Sequence, residues 1–79
     1  MVRTEHVTGD QIRVGDRIWS GGYEWVVDAA IRERVWRSEG FRWRFTCHWS
    51  GRGSNPHFFN DNFSTALRED LPWRRSLEV

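Results

Sequence analysis

The feature that most constrains the fold is a ten-residue run, residues 41–50, in which apolar and polar side chains alternate without a break. The apolar positions are Phe41, Trp43, Phe45, Cys47 and Trp49, and the polar ones are Arg42, Arg44, Thr46, His48 and Ser50. Successive side chains of a strand point to opposite faces of the sheet. The pattern therefore predicts a half-buried strand with an aromatic inner face and a basic outer face.

A second alternating segment, residues 23–31, precedes this strand. The inward positions are predicted to be Tyr23, Trp25, Val27, Ala29 and Ile31, with Glu24, Val26, Asp28 and Ala30 facing outwards. The alternation of apolar and polar residues changes phase further on, because the adjacent Val35 and Trp36 are both large and apolar. We therefore expect a bulge between about Ala30 and Glu33. Ser38-Glu39-Gly40 then supplies a turn, which makes residues 32–49 a hairpin.

Turn signals divide the rest of the chain into short extended segments. Upstream, Gly15-Asp16 and Ser20-Gly21-Gly22 predict a second hairpin that leads into Tyr23. Downstream we expect a loop at 50–56, a short strand at His57-Phe58-Phe59 and a turn at 60–62. Residues 63–69 fit either a last strand or a helical turn, and we favour the strand, with Phe63, Thr65 and Leu67 facing inwards. The segments predict an all-β fold, a small five- to six-stranded barrel that protects its strand edges, with one domain over residues 1–79 and a short C-terminal tail at 70–79.

Aromatic residues supply the apolar anchors that a domain of 79 residues needs, since the chain contains twelve of them, six being Trp. Each aromatic side chain can bury about 150–250 Å². The predicted core aromatics are Tyr23, Trp25, Phe41, Trp43, Phe45 and Trp49. Trp36 and Trp73 lie outside the inward pattern. Trp73, which follows Leu71-Pro72, is either an exposed anchor for a partner or a cap that folds back over an open barrel end.

Several short motifs resemble those of small SH3-like barrel proteins, of the kind encoded by phages of actinobacteria. They are Val14-Gly15-Asp16-Arg17-Ile18, Trp25-Val26-Val27, Trp43-Arg44-Phe45 and Thr65-Ala66-Leu67-Arg68, within residues 12–69. The resemblance implies an SH3-like barrel and a phage origin, and it implies no function. It does not extend to the C-terminal tail.

Basic residues are concentrated in the middle of the chain. The formal net charge is only +1, yet residues 31–52 contain six Arg and two Glu, and all twelve basic residues are Arg. Arg42, Arg44 and His48 are expected to share an outer face with Arg32, Arg34 and Trp36 of the partner strand, because opposite residues of paired strands are neighbours. The whole predicted binding surface is Arg32, Arg34, Trp36, Arg42, Arg44, His48, Arg52 and Trp73. The alternative is a solvated face whose Arg stems cover hydrophobic edges.

No catalytic or metal-binding motif emerges, so we expect no enzyme, cofactor or metal. Ser50, His48 and Asp61 could be drawn as a triad but lack a nucleophile elbow. Cys47 and His48 are adjacent and point to opposite strand faces, which is unlike a zinc site. The lone Cys and the lack of a signal peptide or membrane span in the sequence predict a cytoplasmic protein with no membrane partner.

The sequence therefore predicts a non-catalytic binding module, in the phage context an accessory protein that binds a host or phage protein. A nucleic-acid-binding barrel that uses the central Arg and Trp surface is the alternative, and a small enzyme or metal-binding domain comes third. A protein partner ranks slightly ahead of DNA or RNA because tight phosphate binding usually draws on a larger basic excess. A monomer and a homodimer are equally consistent with these residues.

Overall fold

Six antiparallel strands form one sheet in the computed structural model, which describes residues 3–35, 40–52, 62–69 and 72–77. The strands are β1 (Thr4–Val7), β2 (Arg17–Ser20), β3 (Tyr23–Arg34), β4 (Phe41–Trp49), β5 (Asn62–Arg68) and β6 (Trp73–Ser76). Their order in the sheet is β1-β6-β2-β3-β4-β5, and one turn of 3-10 helix follows β1 at Gly9–Gln11. The predicted all-β class is confirmed, and closure into a barrel stays a prediction.

The reversal between β2 and β3 is a two-residue turn at Gly21 and Gly22, as predicted. Both glycines have positive φ, 62° and 85°, a backbone conformation that residues with a Cβ atom rarely adopt. Turns of this kind match the twist of the strands that they join. Ser20 consequently lies opposite Tyr23, and Ile18 opposite Trp25.

A bulge interrupts the pairing of β3 with β4 between Val27 and Ala29, earlier than the predicted position near residues 30–33. Asp28 is the extra residue, because Val27 lies opposite Cys47 whereas Ala29 lies opposite Thr46. One inserted residue exchanges the faces of all the side chains that follow it. The remainder of β3 is therefore inverted relative to the sequence prediction.

The buried core lies on one side of the sheet, here called the core face, and the other side is the outer face. The buried apolar residues are Val7, Ile12, Ile18, Trp25, Val27, Phe45 and Cys47. Tyr23, Ala30, Trp43, Trp49 and Trp73 are partly buried and pack against them. The alternation predicted for residues 41–50 is confirmed where β4 crosses this core, at Phe45 and Cys47.

One predicted orientation, that of Ile31, and two predicted burials, those of Phe41 and Glu24, are wrong. Ile31 was expected to face inwards and is 58% exposed, because the bulge at Asp28 turns it to the outer face. Phe41 was assigned to the core and is 38% exposed, because it lies at the end of the hairpin beyond the buried residues. Glu24 was expected to face solvent and is wholly buried.

The segment predicted as a C-terminal tail contains β6, which lies between β1 and β2. Val7 of β1 pairs with Trp73, and Trp19 of β2 pairs with Arg74. Trp73 packs against the core, which agrees with the alternative in which it folds back. A four-residue strand carries too short an alternation to be distinguished from a tail, and the polar β1 was missed for the same reason.

Some predictions fall outside the described residues. These are the side chain of Trp36, the turn at residues 38 and 39, and the segment from 53 to 61 with its candidate strand at 57–59. The last predicted strand is confirmed as β5, in which Thr65 lies opposite Phe45.

A pair of Trp to Phe substitutions tests the difference between two indole N–H groups. Trp25 Nε1 donates to the Ser20 carbonyl at 3.1 Å, whereas Trp43 Nε1 is buried with no acceptor among the described residues. An intramolecular hydrogen bond contributes about 1 kcal/mol net, whereas an unsatisfied buried donor is unfavourable because its desolvation is not compensated. Trp25→Phe should therefore lower the free energy of unfolding by at least about 1 kcal/mol more than Trp43→Phe, in urea titrations. Equal losses would contradict the assignment.

Candidate binding surfaces

The predicted Arg surface is divided between the two faces of the sheet. Arg42 lies opposite Glu33, and Arg44 lies opposite Ile31, on the outer face. Arg32 lies opposite Trp43, and Arg34 lies opposite Phe41, on the core face. The prediction that the two sets merge into one surface is wrong. The bulge at Asp28 is the physical cause, since it inverts the faces of β3 beyond that residue.

Two carboxylates pair with three of these four Arg side chains. Arg42 Nε and Arg44 Nη2 both donate to Glu33 Oε1, at 2.7 and 3.0 Å, and these hydrogen bonds lower the pKa of Glu33. On the core face, Arg32 Nε donates to Glu69 Oε1 at 2.5 Å. Arg34 is exposed and has no polar partner among the described residues.

The end of the β3–β4 hairpin, residues 31–35 and 40–44, extends beyond the core and is here called the distal hairpin. None of its described residues is buried. Ile31 is exposed on the outer face, and Phe41 is exposed on the core face, where the Arg32 guanidinium lies 4.0 Å from the centre of its ring. The distal hairpin thus presents an apolar side chain on each face, next to Arg side chains.

Arg52, another predicted binding residue, is bound to the buried Glu24. Its Nε and Nη2 donate to the two carboxylate oxygens at 2.7 and 2.5 Å, in the fork geometry that Arg forms with carboxylates. Ser76 Oγ donates to Glu24 Oε2, and Trp19 Nε1 donates to Ser76 Oγ at 2.9 Å. This network joins β3, β6 and β2 to the segment after β4.

Burial of Glu24 would by itself raise the pKa of its carboxyl group. Hydrogen bonds from the side chains of Arg52, Ser76 and Ser50 outweigh this effect and lower the pKa to about 2. The group is therefore a buried anion at neutral pH rather than a proton acceptor. The sequence pattern gave no signal for it, because its partners lie up to 52 residues away.

His48 pairs with the bulge residue on the outer face. Its Nδ1 lies 2.7 and 2.8 Å from the two oxygens of Asp28, and both side chains are nearly half exposed. Burial, together with the charge of Asp28, raises the pKa of the neighbouring Cys47 thiol to about 12. A thiol of this kind is a poor nucleophile. Asp61, the third member of the triad considered above, lies outside the described residues.

A second group of cations was missed by the sequence analysis. Registers place His6 opposite Arg74, Arg74 opposite Trp19, and Arg17 opposite Val26, all on the outer face. We call His6, Arg17, Trp19 and Arg74 the cationic face. The charges are far apart in the sequence, so only the position of β6 between β1 and β2 brings them together.

Comparisons with known proteins gave no match to a family model, to a curated protein or to a solved structure. Within the described ranges, no three His, Cys, Asp or Glu side chains are grouped as metal ligands. The same part of the chain contains no helix long and apolar enough to cross a membrane.

Acid titration should reveal the contribution of Glu24 to stability. A carboxyl whose pKa falls from 4.5 to about 2 on folding stabilises the fold above pH 4.5, and this contribution disappears as the pH falls towards 2. The shift corresponds to about 3 kcal/mol. In urea titrations, the wild type should therefore lose more stability between about pH 5 and about pH 2.5 than Glu24→Gln does. Parallel pH profiles of the two proteins would refute the assignment.

Removal of the Arg52 side chain should destabilise the fold. Arg52→Ala leaves a buried carboxylate without its main cation, and breaking such a pair from one side typically costs about 3–5 kcal/mol. We expect the lower part of this range, because the guanidinium is about half exposed. Arg34→Ala is the matched control and should change the free energy of unfolding by less than about 0.5 kcal/mol. Similar values for both variants would show that Arg52 is not structural.

Proposed function

We propose that the chain is a non-catalytic binding module whose distal hairpin inserts into a groove of a protein partner. The observation that carries this proposal is the exposure of Ile31 and Phe41 on opposite faces of the same hairpin end. A partner that covered only one face would leave one of these side chains in water. A groove that accepts the hairpin would bury both, together with the Arg stems beside them.

The pairing of the Arg side chains favours a protein over a nucleic acid at this surface. Arg42 and Arg44 share Glu33, and Arg32 binds Glu69. A phosphate would have to displace these carboxylates from the Arg side chains. The loss of the existing ion pairs would reduce the binding free energy that each phosphate contact contributes. Burial of the apolar side chains needs no such exchange, and it contributes about 25 cal/mol for each Å² removed from water.

Charge specifies the chemistry of the partner groove. Residues 31–44 carry five Arg and two Glu, a net charge of +3, whereas the rest of the chain carries −2. A groove with apolar walls and an acidic rim would complement the hairpin and accelerate its association. The partner in this proposal is a host or phage protein with such a groove.

We also propose that the sheet curls into a small barrel of the SH3-like type. The 3-10 turn at Gly9–Gln11, which precedes β2, contacts β4, although β3 separates these two strands in the sheet. A flat sheet would not bring these segments together. Solution scattering would test closure, since an open six-stranded sheet is more elongated than a barrel.

Site-specific photo-crosslinking tests the proposed partner surface. A photoreactive phenylalanine analogue at position 41 should crosslink one dominant protein in extract from the natural host, and nuclease treatment should not remove it. The same analogue at Val14, another exposed apolar position, is the control and should not capture that protein. Capture that depends on nucleic acid would contradict the proposal.

Affinity measurements with the purified partner provide the quantitative test. Ile31→Ser and Phe41→Ser should each weaken binding by about tenfold or more, because a buried apolar anchor contributes about 1.5–3 kcal/mol. Val14→Ser should leave affinity within about twofold of the wild type, as expected for a residue outside the interface. An equal loss in Val14→Ser, or no loss in either hairpin variant, would overturn the proposal.

A further inference from the structure

The two guanidinium groups of the cationic face form no short charge-assisted hydrogen bond to a carboxylate among the described residues. The shortest described polar contact of the Arg74 side chain is from Nη1 to Thr4 Oγ1, at 3.4 Å. The Arg17 Nη1 atom lies 3.9 Å from Glu24 Oε1. Both oxygens of Glu24 already accept hydrogen bonds from Arg52, and one also accepts from Ser76. The Arg17 and Arg74 guanidinium groups are therefore available to an external anion.

Trp19 lies among these cations and is held in a fixed orientation. It sits directly between Arg74 and Glu24 in the register, and its Nε1 donates to Ser76 Oγ at 2.9 Å. The indole ring is only partly buried. An aromatic ring held beside two guanidinium groups that have no close carboxylate partner of their own provides a stacking surface next to anion-binding groups.

We propose that the cationic face binds single-stranded nucleic acid, with Arg17 and Arg74 contacting phosphates and Trp19 stacking on a base. Proteins that bind single strands combine these two elements: basic side chains that contact the phosphates of the nucleic-acid backbone, and aromatic rings on which the bases stack.

The spacing of the groups favours a strand over an isolated phosphate. Trp19 is opposite Arg74, so Arg17 is the diagonal neighbour of Arg74, about 7–8 Å away at the backbone. His6 extends the same row on the far side of Arg74. Basic side chains spread over three strands can contact successive phosphates, whereas recognition of one phosphate group requires them to converge. The partly exposed ring has no role in binding a phosphate alone.

Fluorescence anisotropy with a labelled oligothymidylate tests the phosphate contacts. Arg17→Ala/Arg74→Ala should weaken binding by at least tenfold, and it should make the slope of log K against log salt shallower by about 1.4, since each contact to a single strand contributes roughly 0.7. Arg42→Ala/Arg44→Ala removes the same charge from the other surface and is the matched control. Equal weakening in the two variants, or no binding by the wild type at low salt, would overturn the proposal.

Two further measurements separate the site from a folding defect and from general polyanion binding. Arg74→Glu changes one exposed side chain and should also abolish binding, while thermal unfolding followed by circular dichroism remains close to that of the wild type. An abasic oligonucleotide of equal length retains the phosphates but lacks the base that stacks on Trp19, and it should bind at least about fivefold more weakly. Equal affinity for the abasic strand, or for polyglutamate of equal charge, would refute a nucleic-acid site.

Discussion

The bulge at Asp28 determines which side chains of β3, the longest strand, lie on the same face of the sheet as the Arg side chains of β4. Without the extra residue, Arg32 and Arg34 would share the outer face with Arg42 and Arg44, and four cations would meet with little to neutralise them. With it, Glu33 takes the position between the two Arg of β4 and binds both. The same shift moves Ile31 from the core side to solvent. One inserted residue thus converts a concentrated basic surface into a hairpin end whose charge is partly paired and which carries exposed apolar groups.

A second constraint is the buried carboxylate of Glu24, which lies near the start of β3, at the end of the strand opposite the distal hairpin. A buried charge is unfavourable unless it is paired and hydrogen-bonded, and here Arg52 and Ser76 satisfy it. Ser76 can do so only when β6 lies between β1 and β2. The network therefore couples the position of the last strand to the segment after β4. It also fixes Trp19 through Ser76, so the cationic face depends on a structural ion pair that is not itself part of that face.

The strands with long alternating patterns could be predicted from the sequence, and those with short patterns could not. The alternation in residues 41–50 correctly predicted β4 and the face of it that packs on the core, and Gly21-Gly22 correctly predicted the turn before β3. The four-residue strands β1 and β6 were missed because four positions do not distinguish a strand from a tail. The bulge was expected, but its position was not, since Asp28 fits the outward phase that precedes it. The burial of Glu24 was not predicted, because it depends on partners that only the strand order brings near.

The central Arg cluster illustrates why local charge in the sequence is a weak guide to a binding surface. Residues 31–52 contain half of the Arg side chains, yet most of those described are neutralised by carboxylates across a strand pair or from another element. Arg17 and Arg74 lie in segments of little or negative net charge, but the sheet makes them diagonal neighbours, and the carboxylate near Arg17 already binds Arg52. An anion responds to the charge that remains after internal pairing. For that reason two Arg that are distant along the chain can form an anion-binding surface that the local charge of the sequence does not indicate.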